Sequence, residues 1–528
     1  MPSLTIDGKQ VTVEPGTTVI QAAEKLGIFV PRYCYHPGLS IAGNCRICLV
    51  EVEKSPKLQI ACNTPVADGM VVRTQNEKVT QGREAVLEFL LINHPLDCPV
   101  CDQSGECDLQ NYYMAYGLYN SRFQEKKVKK PKAVPLGPTV MLDAERCILC
   151  SRCVRFTDEI SKTGEFGIFN RGDKAEVGLY PGKVLDNKYS GNVVDVCPVG
   201  ALTDRDFRFK ARVWYLSTSP SVCNGCSRGC NTEIHHVTHR PHLAGGARVM
   251  RVKPRYNPQV NQWWMCDEGR YGYKFIDQGR LRKVLHNGVE TTWEKALDEL
   301  ADGLRRAKEE NKTSTIGVIP SAQMTTEDLF LVRKLFQDSL GVHCSAKVPM
   351  HTGYSDNFLI QADKNPNTLG ARLLGLSGDG VDAAQIIQKA IAGEIKALWV
   401  FGHDLDLLFG KGTLAKLKEC LCLLIFQGSN ENETSKAAHW VLPSAVYAEK
   451  DGTFVNCERR VQRIVKAFEP LGDSRPEAEI LLELARRLSI PIAYPGPKEI
   501  FAAIGQTLPA FQGLTYEKLG SQGVQVAG

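Results

Sequence analysis

Four groups of four metal-ligand residues lie between positions 34 and 266, and they constrain the fold more than any other feature of this chain. Each group has a spacing typical of residues that hold an iron–sulfur cluster, and one group has a histidine in place of a cysteine. The groups are a first set of Cys34, Cys45, Cys48 and Cys62; a second set of His94, Cys98, Cys101 and Cys107; a third set of Cys147, Cys150, Cys153 and Cys197; and a fourth set of Cys223, Cys226, Cys230 and Cys266. The sequence therefore predicts several cluster-binding modules that move electrons one at a time.

Length and composition indicate a multidomain metalloprotein. The chain has 528 residues, too many for one hydrophobic core. Its net charge of +5 does not indicate a nucleic-acid partner. Its apolar runs are far shorter than the ~20 residues that span a bilayer, so we expect no direct membrane insertion. Cysteines at x2 spacing behind an N-terminus that lacks a signal-peptide pattern indicate thiolates on metal, in a cytosolic or membrane-peripheral protein.

The first set follows the pattern of a small β-grasp ferredoxin. Two predicted strands, Leu4–Asp7 and Val11–Glu14, precede a predicted helix at Val19–Leu26, whose start carries a Thr18/Gln21 capping box. The set itself reads C-x10-C-x2-C-x13-C, with a first gap longer than the plant-type spacing. We expect a [2Fe–2S] cluster in a loop with an insertion. The strand–helix order disfavours the alternative, a zinc site.

The second set, H-x3-C-x2-C-x5-C, follows a predicted helix at Val79–Asn93. A neutral imidazole in place of a thiolate makes a cluster less negative and raises its potential. Three cysteines and a histidine are also a familiar zinc set, and the motif alone does not separate the two. Its position between two iron–sulfur motifs favours a [4Fe–4S] cluster. The basic run 126–132 that follows is predicted to be a solvated linker.

The third and fourth sets both suit [4Fe–4S] clusters. The third set is C-x2-C-x2-C with a distant Cys197-Pro198, the bacterial ferredoxin pattern, and we expect Cys197 to close the same cluster. The fourth set is C-x2-C-x3-C-x35-C, in which Cys266 is the ligand least fixed by spacing. Histidines 235, 236, 239 and 242 fall inside its long gap, and a polar hairpin explains them.

From Leu281 onward, strands alternate with amphipathic helices, which predicts an α/β domain with a parallel sheet. Examples are strands at Thr315–Ile319 and Ala397–Phe401 and a helix at Thr326–Leu340. The four cysteines outside the sets are predicted to be small buried apolar residues: Cys344, Cys420, Cys422 and Cys457.

With all four sets assembled, the chain closely resembles the large iron–sulfur subunit, also called the G subunit, of NADH-quinone oxidoreductase, respiratory complex I. The resemblance rests on HPGLSIAGNCRICLVEV, NHPLDCPVCDQSGECDLQ, RCILCSRCVRF and GNVVDVCPVGAL. From Ser217 onward the chain is similar to the molybdopterin oxidoreductase superfamily, notably in HWVLPSAVYAEKDGTFVNCERRVQ. Enzymes with an active pterin usually carry Lys two residues after the fourth cluster cysteine, where this chain has Glu268. The segment that follows Arg460 is also shorter than we expect for the final pterin-binding domain of such enzymes. We expect no molybdopterin.

The resemblance implies an electron-transfer subunit without a complete active site of its own. A flavin-bearing, NADH-binding subunit would deliver electrons, which would pass through the first, third and second sets to a ferredoxin-like iron–sulfur subunit nearer the quinone. Other peripheral-arm subunits would complete the complex, on the inner face of the cell membrane. The implied cofactors are one [2Fe–2S] and three [4Fe–4S] clusters, the fourth set lying off this line.

The predicted fold class combines α+β iron–sulfur modules with an α/β domain. We expect a [2Fe–2S] β-grasp domain at 1–78, a helical [4Fe–4S] segment with one histidine and three cysteine ligands at 79–125, a ferredoxin-like [4Fe–4S] domain at 139–212, a small β-rich [4Fe–4S] domain at 216–272 and an α/β molybdopterin-oxidoreductase-like domain at 273–528. Two rival functions remain open at this point. One is an iron–sulfur subunit of a soluble NAD-linked hydrogenase or formate dehydrogenase, and the other is a zinc-stapled scaffold without redox activity.

Overall fold

The chain folds into two compact units, residues 1–216 and 217–528. The structure is a computed structural model, and it describes residues 1–349, 353–377 and 382–527. None of the helices in these ranges is both long and apolar enough to cross a membrane.

The first unit begins with a mixed five-stranded sheet of order β2-β1-β5-β3-β4. Its elements are β1 (Ser3–Ile6), β2 (Lys9–Thr12), α1 (Val19–Lys25), β3 (Leu49–Val52), β4 (Gln59–Ile60) and β5 (Met70–Arg73). Strand β1 is antiparallel to β2 and parallel to β5, and α1 buries Val19, Ile20 and Ala23 in the core of this sheet. The Thr18 amide donates to Gln21 Oε1 at 2.9 Å, so the predicted capping box is formed. The β-grasp prediction is confirmed.

The rest of the first unit consists of short elements around the second and third sets. They are α2 (Glu77–Leu91), α3 (Asp108–Tyr116), β6 (Val134–Pro135), β7 (Val140–Leu142), α4 (Arg152–Arg155), β8 (Phe166–Phe169), β9 (Glu176–Leu179), α5 (Asn192–Val196) and β10 (Leu202–Asp204). Helix α2 starts at an Asn76 cap and ends three residues before His94, close to the predicted bounds. Strands β6, β7 and β10 form an antiparallel sheet.

The basic run 126–132 is a largely exposed linker whose lysines make specific contacts. Lys127 Nζ donates to the carbonyls of Leu91 and Ile92 at 2.8 Å, which fixes it to the end of α2. Lys132 Nζ lies 2.6 Å from Asp97 and 2.8 Å from Glu145. The run has no helix or strand and none of its residues is buried, so the prediction of a solvated linker is confirmed, and its lysines also contact carbonyls and carboxylates from distant parts of the sequence.

The second unit begins with a small antiparallel sheet and a short helix. These elements are β11 (Ser217–Val222), β12 (Asn231–His236), β13 (Val249–Pro254) and α6 (Asp267–Tyr271). His235 and His236 lie on β12, within the predicted hairpin. The predicted β-rich domain is thereby confirmed.

A seven-stranded sheet of order β15-β14-β20-β19-β18-β16-β17 forms the main part of the second unit. Its strands are β14 (Val284–His286), β15 (Val289–Thr291), β16 (Ile316–Ile319), β17 (His343–Cys344), β18 (Ala397–Phe401), β19 (Leu423–Gly428) and β20 (Trp440–Pro443). Strands β16 to β20 are parallel, while β14 and β15 extend the edge in antiparallel order. Two hydrophobic clusters contain alternate residues of β18, namely Trp399 and Phe401 in one and Leu398 and Val400 in the other. The α/β prediction is confirmed.

Ten helices and a further sheet complete the described part of this unit. The helices are α7 (Trp293–Glu309), α8 (Thr326–Val332), α9 (Thr368–Leu373), α10 (Ala383–Ile391), α11 (Leu405–Phe409), α12 (Thr413–Cys420), α13 (Glu433–Ala437), α14 (Glu477–Arg487), α15 (Pro497–Thr507) and α16 (Tyr516–Leu519). The additional sheet contains β21 (Gly452–Val455), β22 (Arg460–Ile464) and β23 (Val524–Gln525). The predicted helix at Thr326–Leu340 is α8 followed by a π-helical segment at Arg333–Ser339.

The four cysteines outside the sets are less buried than predicted. Cys344 and Cys420 are partly buried, whereas Cys422 and Cys457 are exposed. The prediction was wrong for the exposed pair, because apolar character alone does not determine which face of an element meets the core.

Candidate iron–sulfur sites

The first set is closed by contacts between its own sulfurs. Cys34 contacts Cys45 and Cys62, and Cys48 contacts Cys62, so all four thiols meet in the loops around β3 and β4. The Cys34 amide also donates to Cys45 Sγ at 3.4 Å. The contact with Cys45 lowers the pKa of Cys34, and the contact with Cys34 raises the pKa of Cys62.

Gly43 allows the tight turn that leads into Cys45. Its φ is +65°, and a Cβ added there would lie 3.3 Å from Ile60 Cδ1. A side chain at this position would be strained in the left-handed region and would press on β4, which leads to Cys62. The position thus favours the glycine that the sequence supplies.

The second set is the most exposed of the four. Cys101 lies in electrostatic range of both Cys98 and Cys107, and Cys98 is exposed. His94 lies in the same loop, but no hydrogen bond joins its ring to the three thiols within residues 1–349. Burial, assisted by the nearby Arg146 charge, lowers the pKa of His94 to about 4. The imidazole is therefore neutral at pH 7, the form that binds a metal.

The third set surrounds a cavity within the first unit. All four cysteines line one small cavity of about 20 Å³, together with apolar residues such as Leu142, Val177 and Val199. The Leu149 amide donates to Cys147 Sγ at 3.4 Å. Burial raises the pKa of Cys147, Cys150 and Cys197 to about 11 each.

The fourth set surrounds a similar cavity in the second unit. All four cysteines, including Cys266, line one small cavity of about 10 Å³ with Met265 and Leu359. The Gly225 amide donates to Cys223 Sγ and the Gly269 amide donates to Cys266 Sγ, both at 3.4 Å. A Cβ on Gly269 would lie only 2.8 Å from Cys223 Sγ, so the helix start can approach the sulfurs because it carries a glycine.

These surroundings fit iron–sulfur clusters. Burial opposes charged thiolates in the third and fourth sets, and positively charged iron is what offsets that cost when thiols lose their protons to bind metal. The amide–sulfur hydrogen bonds and the low solvent access are the features by which a protein adjusts a cluster's potential. In the described ranges, no three His, Cys, Asp or Glu side chains have the arrangement that holds a single metal ion.

The first three sets share one hydrophobic core. One cluster of buried residues contains Cys34, Cys107 and Cys150, one ligand residue from each set. Tyr33 and Leu87, both fully buried, pack in the same cluster. Ligands of the three sets are thus separated by packed side chains of a single module rather than by solvent.

Three arginines beside the ligands were not singled out from the sequence. Arg146 Nη2 lies 2.9 Å from Asp97, which stands between His94 and Cys98 of the second set. Arg152 and Arg155 donate to backbone carbonyls beside the first and third sets. All three arginines lie in the segment R-C-I-L-C-S-R-C-V-R. Their alternation with the ligand cysteines is the sequence pattern from which they could have been predicted.

Known family models match the chain in five consecutive parts. They are a 2Fe-2S iron-sulfur cluster binding domain at 2–77, the NADH-ubiquinone oxidoreductase-G iron-sulfur binding region at 83–122, the NADH-quinone oxidoreductase subunit 3 ferredoxin-like domain at 137–203, the molybdopterin oxidoreductase Fe4S4 domain at 216–278 and molybdopterin oxidoreductase at 367–487. The fold and these matches define a multi-cluster iron–sulfur protein with a molybdopterin-oxidoreductase-like second half.

Relatives match over nearly the whole chain. The G subunit of NADH-quinone oxidoreductase from Rickettsia bellii is 32% identical, and the match covers 97% of this chain and 90% of the relative. The mitochondrial NADH-ubiquinone oxidoreductase 78 kDa subunit of Candida albicans is 32% identical over 96% of this chain and 85% of the relative. Among solved structures, a chain of an H2-reduced NAD+-reducing [NiFe]-hydrogenase is 30% identical, with a TM-score of 0.37 over 40% of this chain and 91% of that chain.

This chain belongs to the family of the G subunit of NADH-quinone oxidoreductase. It is an electron-transfer subunit of that oxidoreductase, and it contains domains that bind 2Fe-2S and 4Fe-4S clusters.

Proposed function

We propose that the sixteen ligand residues hold one [2Fe–2S] cluster, in the first set, and one [4Fe–4S] cluster in each of the other three sets. The contacts among the first-set sulfurs and the cavities within the third and fourth sets support this assignment. The neutral state of His94 supports its role as the fourth ligand of the second set. Bound clusters supply one-electron redox chemistry, and the chain's residues bind them, shield them and set their potentials.

Electrons pass from the first set to the third and then to the second. The observation that carries this proposal is the single hydrophobic core that contains ligands of all three sets. The exposed Cys98 gives the second set an accessible side for the exit. The donor is a flavin-bearing, NADH-binding subunit, and the acceptor is a ferredoxin-like iron–sulfur subunit. Both belong to the peripheral arm, on the inner face of the cell membrane.

The fourth set has a structural role and works without a pterin. Glu268, two residues after Cys266, pairs with Lys364 at 2.9 Å. Lys364 also lines a large cavity near the carboxyl ends of β18 and β19. The positive charge of Lys364 is therefore already paired with the Glu268 carboxylate. We also propose that the chain is divided into five domains, at residues 1–78, 79–125, 139–212, 216–272 and 273–528.

Anaerobic purification of the whole complex tests these assignments. Beyond the clusters of the partner subunits, we expect iron and acid-labile sulfide in the amounts of one [2Fe–2S] and three [4Fe–4S] clusters per copy of this chain, with no molybdenum, tungsten or zinc. EPR during a redox titration should then resolve four cluster signals that are lost when this chain's ligands are substituted. Zinc without sulfide would favour the scaffold alternative. Stoichiometric molybdenum, or co-purified hydrogenase subunits, would favour the other enzyme class.

A further inference from the structure

Arg152 joins the backbone of the first set to that of the third. Its side chain is only 7% exposed. Nη2 donates to the Tyr35 carbonyl at 2.6 Å, and Nη1 donates to the Val196 carbonyl at 3.1 Å. Tyr35 directly follows a first-set ligand, and Val196 directly precedes a third-set ligand. One rigid guanidinium fork therefore connects the two ligand loops, because its donors are fixed in one plane.

Arg155, one turn further along the same helical segment, makes a second connection. Its Nη2 donates to the Cys34 carbonyl at 2.6 Å and to the Cys150 carbonyl at 3.3 Å. These two residues are themselves ligands of the first and third sets. We call Arg152 and Arg155 the arginine pair. Arg155 also donates to the Ser40 carbonyl, so the pair holds the two loops together at five backbone carbonyls.

Arg152 has no salt-bridge partner among the described residues, although its charge acts on the buried Asp108 carboxyl from a greater distance. Within residues 1–349, 353–377 and 382–527, no carboxylate lies within 4 Å of it, and its buried Nε has no acceptor. Several other deeply buried cations of this chain are paired, as Arg280 is with Glu449 and Lys450 is with Asp328. Burying an unpaired charge costs several kcal/mol. Thiolates of the two ligand sets, when they hold clusters, would add negative charge on both sides of Arg152.

We propose that Arg152, with Arg155, is a positioning residue that sets both the spacing and the electron affinity of the first-set and third-set clusters. In the transfer step, one electron would leave the cluster held by the first set, which would be oxidised, and enter the cluster held by the third set, which would be reduced. No bond changes and no proton moves. A fixed positive charge between them stabilises whichever set holds the electron, and it restricts the loop movement that accompanies the step. This inference rests on the cluster assignment proposed above.

Substitution of Arg152 in the intact complex tests the charge separately from the shape. Arg152→Gln removes the charge but keeps a donor for one carbonyl, and Arg152→Lys keeps the charge but loses the fork. The matched control is Arg205→Gln, because the Arg205 guanidinium also donates to a carbonyl, that of Gly137, but is exposed to solvent. For each variant, iron and sulfide are quantified and the midpoint potentials of all clusters are measured by EPR titration.

We expect Arg152→Gln to lower the potentials of the first and third sets. One unit charge at an effective dielectric constant of about 20 should reduce the reduced-to-oxidised ratio at fixed potential about tenfold, which equals about 59 mV for one electron. Arg152→Lys should keep both potentials, and Arg205→Gln should change none.

Each remaining outcome decides the question. Clusters that assemble in Arg152→Gln with unchanged potentials would overturn the inference. So would loss of the clusters in both the Gln and the Lys variants, which indicates a requirement for shape alone. Loss in Arg152→Gln with retention in Arg152→Lys would support it, because Lys keeps the positive charge although it lacks the guanidinium fork. Absence of first-set and third-set signals in the unmodified complex would instead reject the cluster assignment itself.

Discussion

The two units of this chain use their cysteines in different ways. In the first unit, ligands of three sets are part of the hydrophobic core, packed with Tyr33, Leu87 and Val199. In the second unit, one set lines its own cavity, and the main cores are those of the seven-stranded sheet, formed by residues such as Trp399 and Phe336. We therefore expect the part of the first unit around the second and third sets to depend on metal for its fold, whereas the second unit has a large hydrophobic core of its own.

The two units also differ in the charged residues that lie beside their ligands. Arg146, Arg152 and Arg155 lie beside the first three sets, and two of these arginines are buried. Beside the fourth set, Asp267 and Glu268 raise the pKa of Cys266, in addition to the larger effect of its burial, whereas the positive charge of Arg228 opposes the larger effect of burial on the pKa of Cys230. Positive charge favours the reduced, more negative cluster and negative charge opposes it. We therefore expect the first three sets to accept electrons more readily than the fourth.

Loss of one ligand should have the largest effect, and it should differ between the units. Cys150→Ser should interrupt the third set and reduce NADH:quinone activity by more than the roughly 10–100-fold typical of changes around a metal site. Cys266→Ser should remove only the fourth set's EPR signal and leave activity per assembled complex unchanged. Cys422→Ser is the control, because this exposed cysteine lies outside the sets. Equal loss of activity in both ligand variants would contradict the proposed division.

Removal of iron should unfold the part of the first unit around the second and third sets and spare the second unit's main sheet. Without metal, the buried thiols lose the partner that holds their loops, and binding energy that contributed to folding is lost. Hydrogen exchange with mass spectrometry should show loss of protection at the third and second sets, while β18 and β19 remain protected. Uniform loss of protection in both units would show that the sheet also depends on metal.

His94→Cys should retain the second set's cluster and lower its potential. A thiolate adds a negative charge that the neutral imidazole lacks, so we expect a fall on the order of 100 mV, judged from the effect of histidine ligation elsewhere. Redox-titrated EPR measures this change, with the first-set signal as internal reference. An unchanged potential would count against His94 as a ligand.

The smallest effect should come from Glu268→Gln. Removal of this negative charge should raise the fourth set's potential, but by less than the roughly 59 mV of a tenfold change. The shift is small because the Glu268 side chain is 55% exposed and already paired with Lys364, so that solvent and the lysine screen it. Glu479→Gln, an exposed change on α14, is the control. A fall in potential would contradict the electrostatic explanation.

Features that depend on neighbouring residues were predicted from the sequence more successfully than features that depend on contacts between distant residues. The Thr18/Gln21 capping box and strand Ala397–Phe401 depend on neighbouring residues, and both were predicted within a residue. The contact of Arg152 with Tyr35, by contrast, joins residues 117 positions apart, and no periodicity in the sequence encodes it. The π-helical segment after α8 was missed for a related reason, since helical periodicity alone does not distinguish it from continued α-helix.

Freeze-quench EPR after mixing the oxidised complex with NADH tests most directly whether the first unit conducts electrons and the fourth set does not. The account predicts that signals of the first, third and second sets appear within one turnover, while the fourth set stays oxidised or is reduced more slowly. Reduction of the fourth set together with or before the third would contradict it.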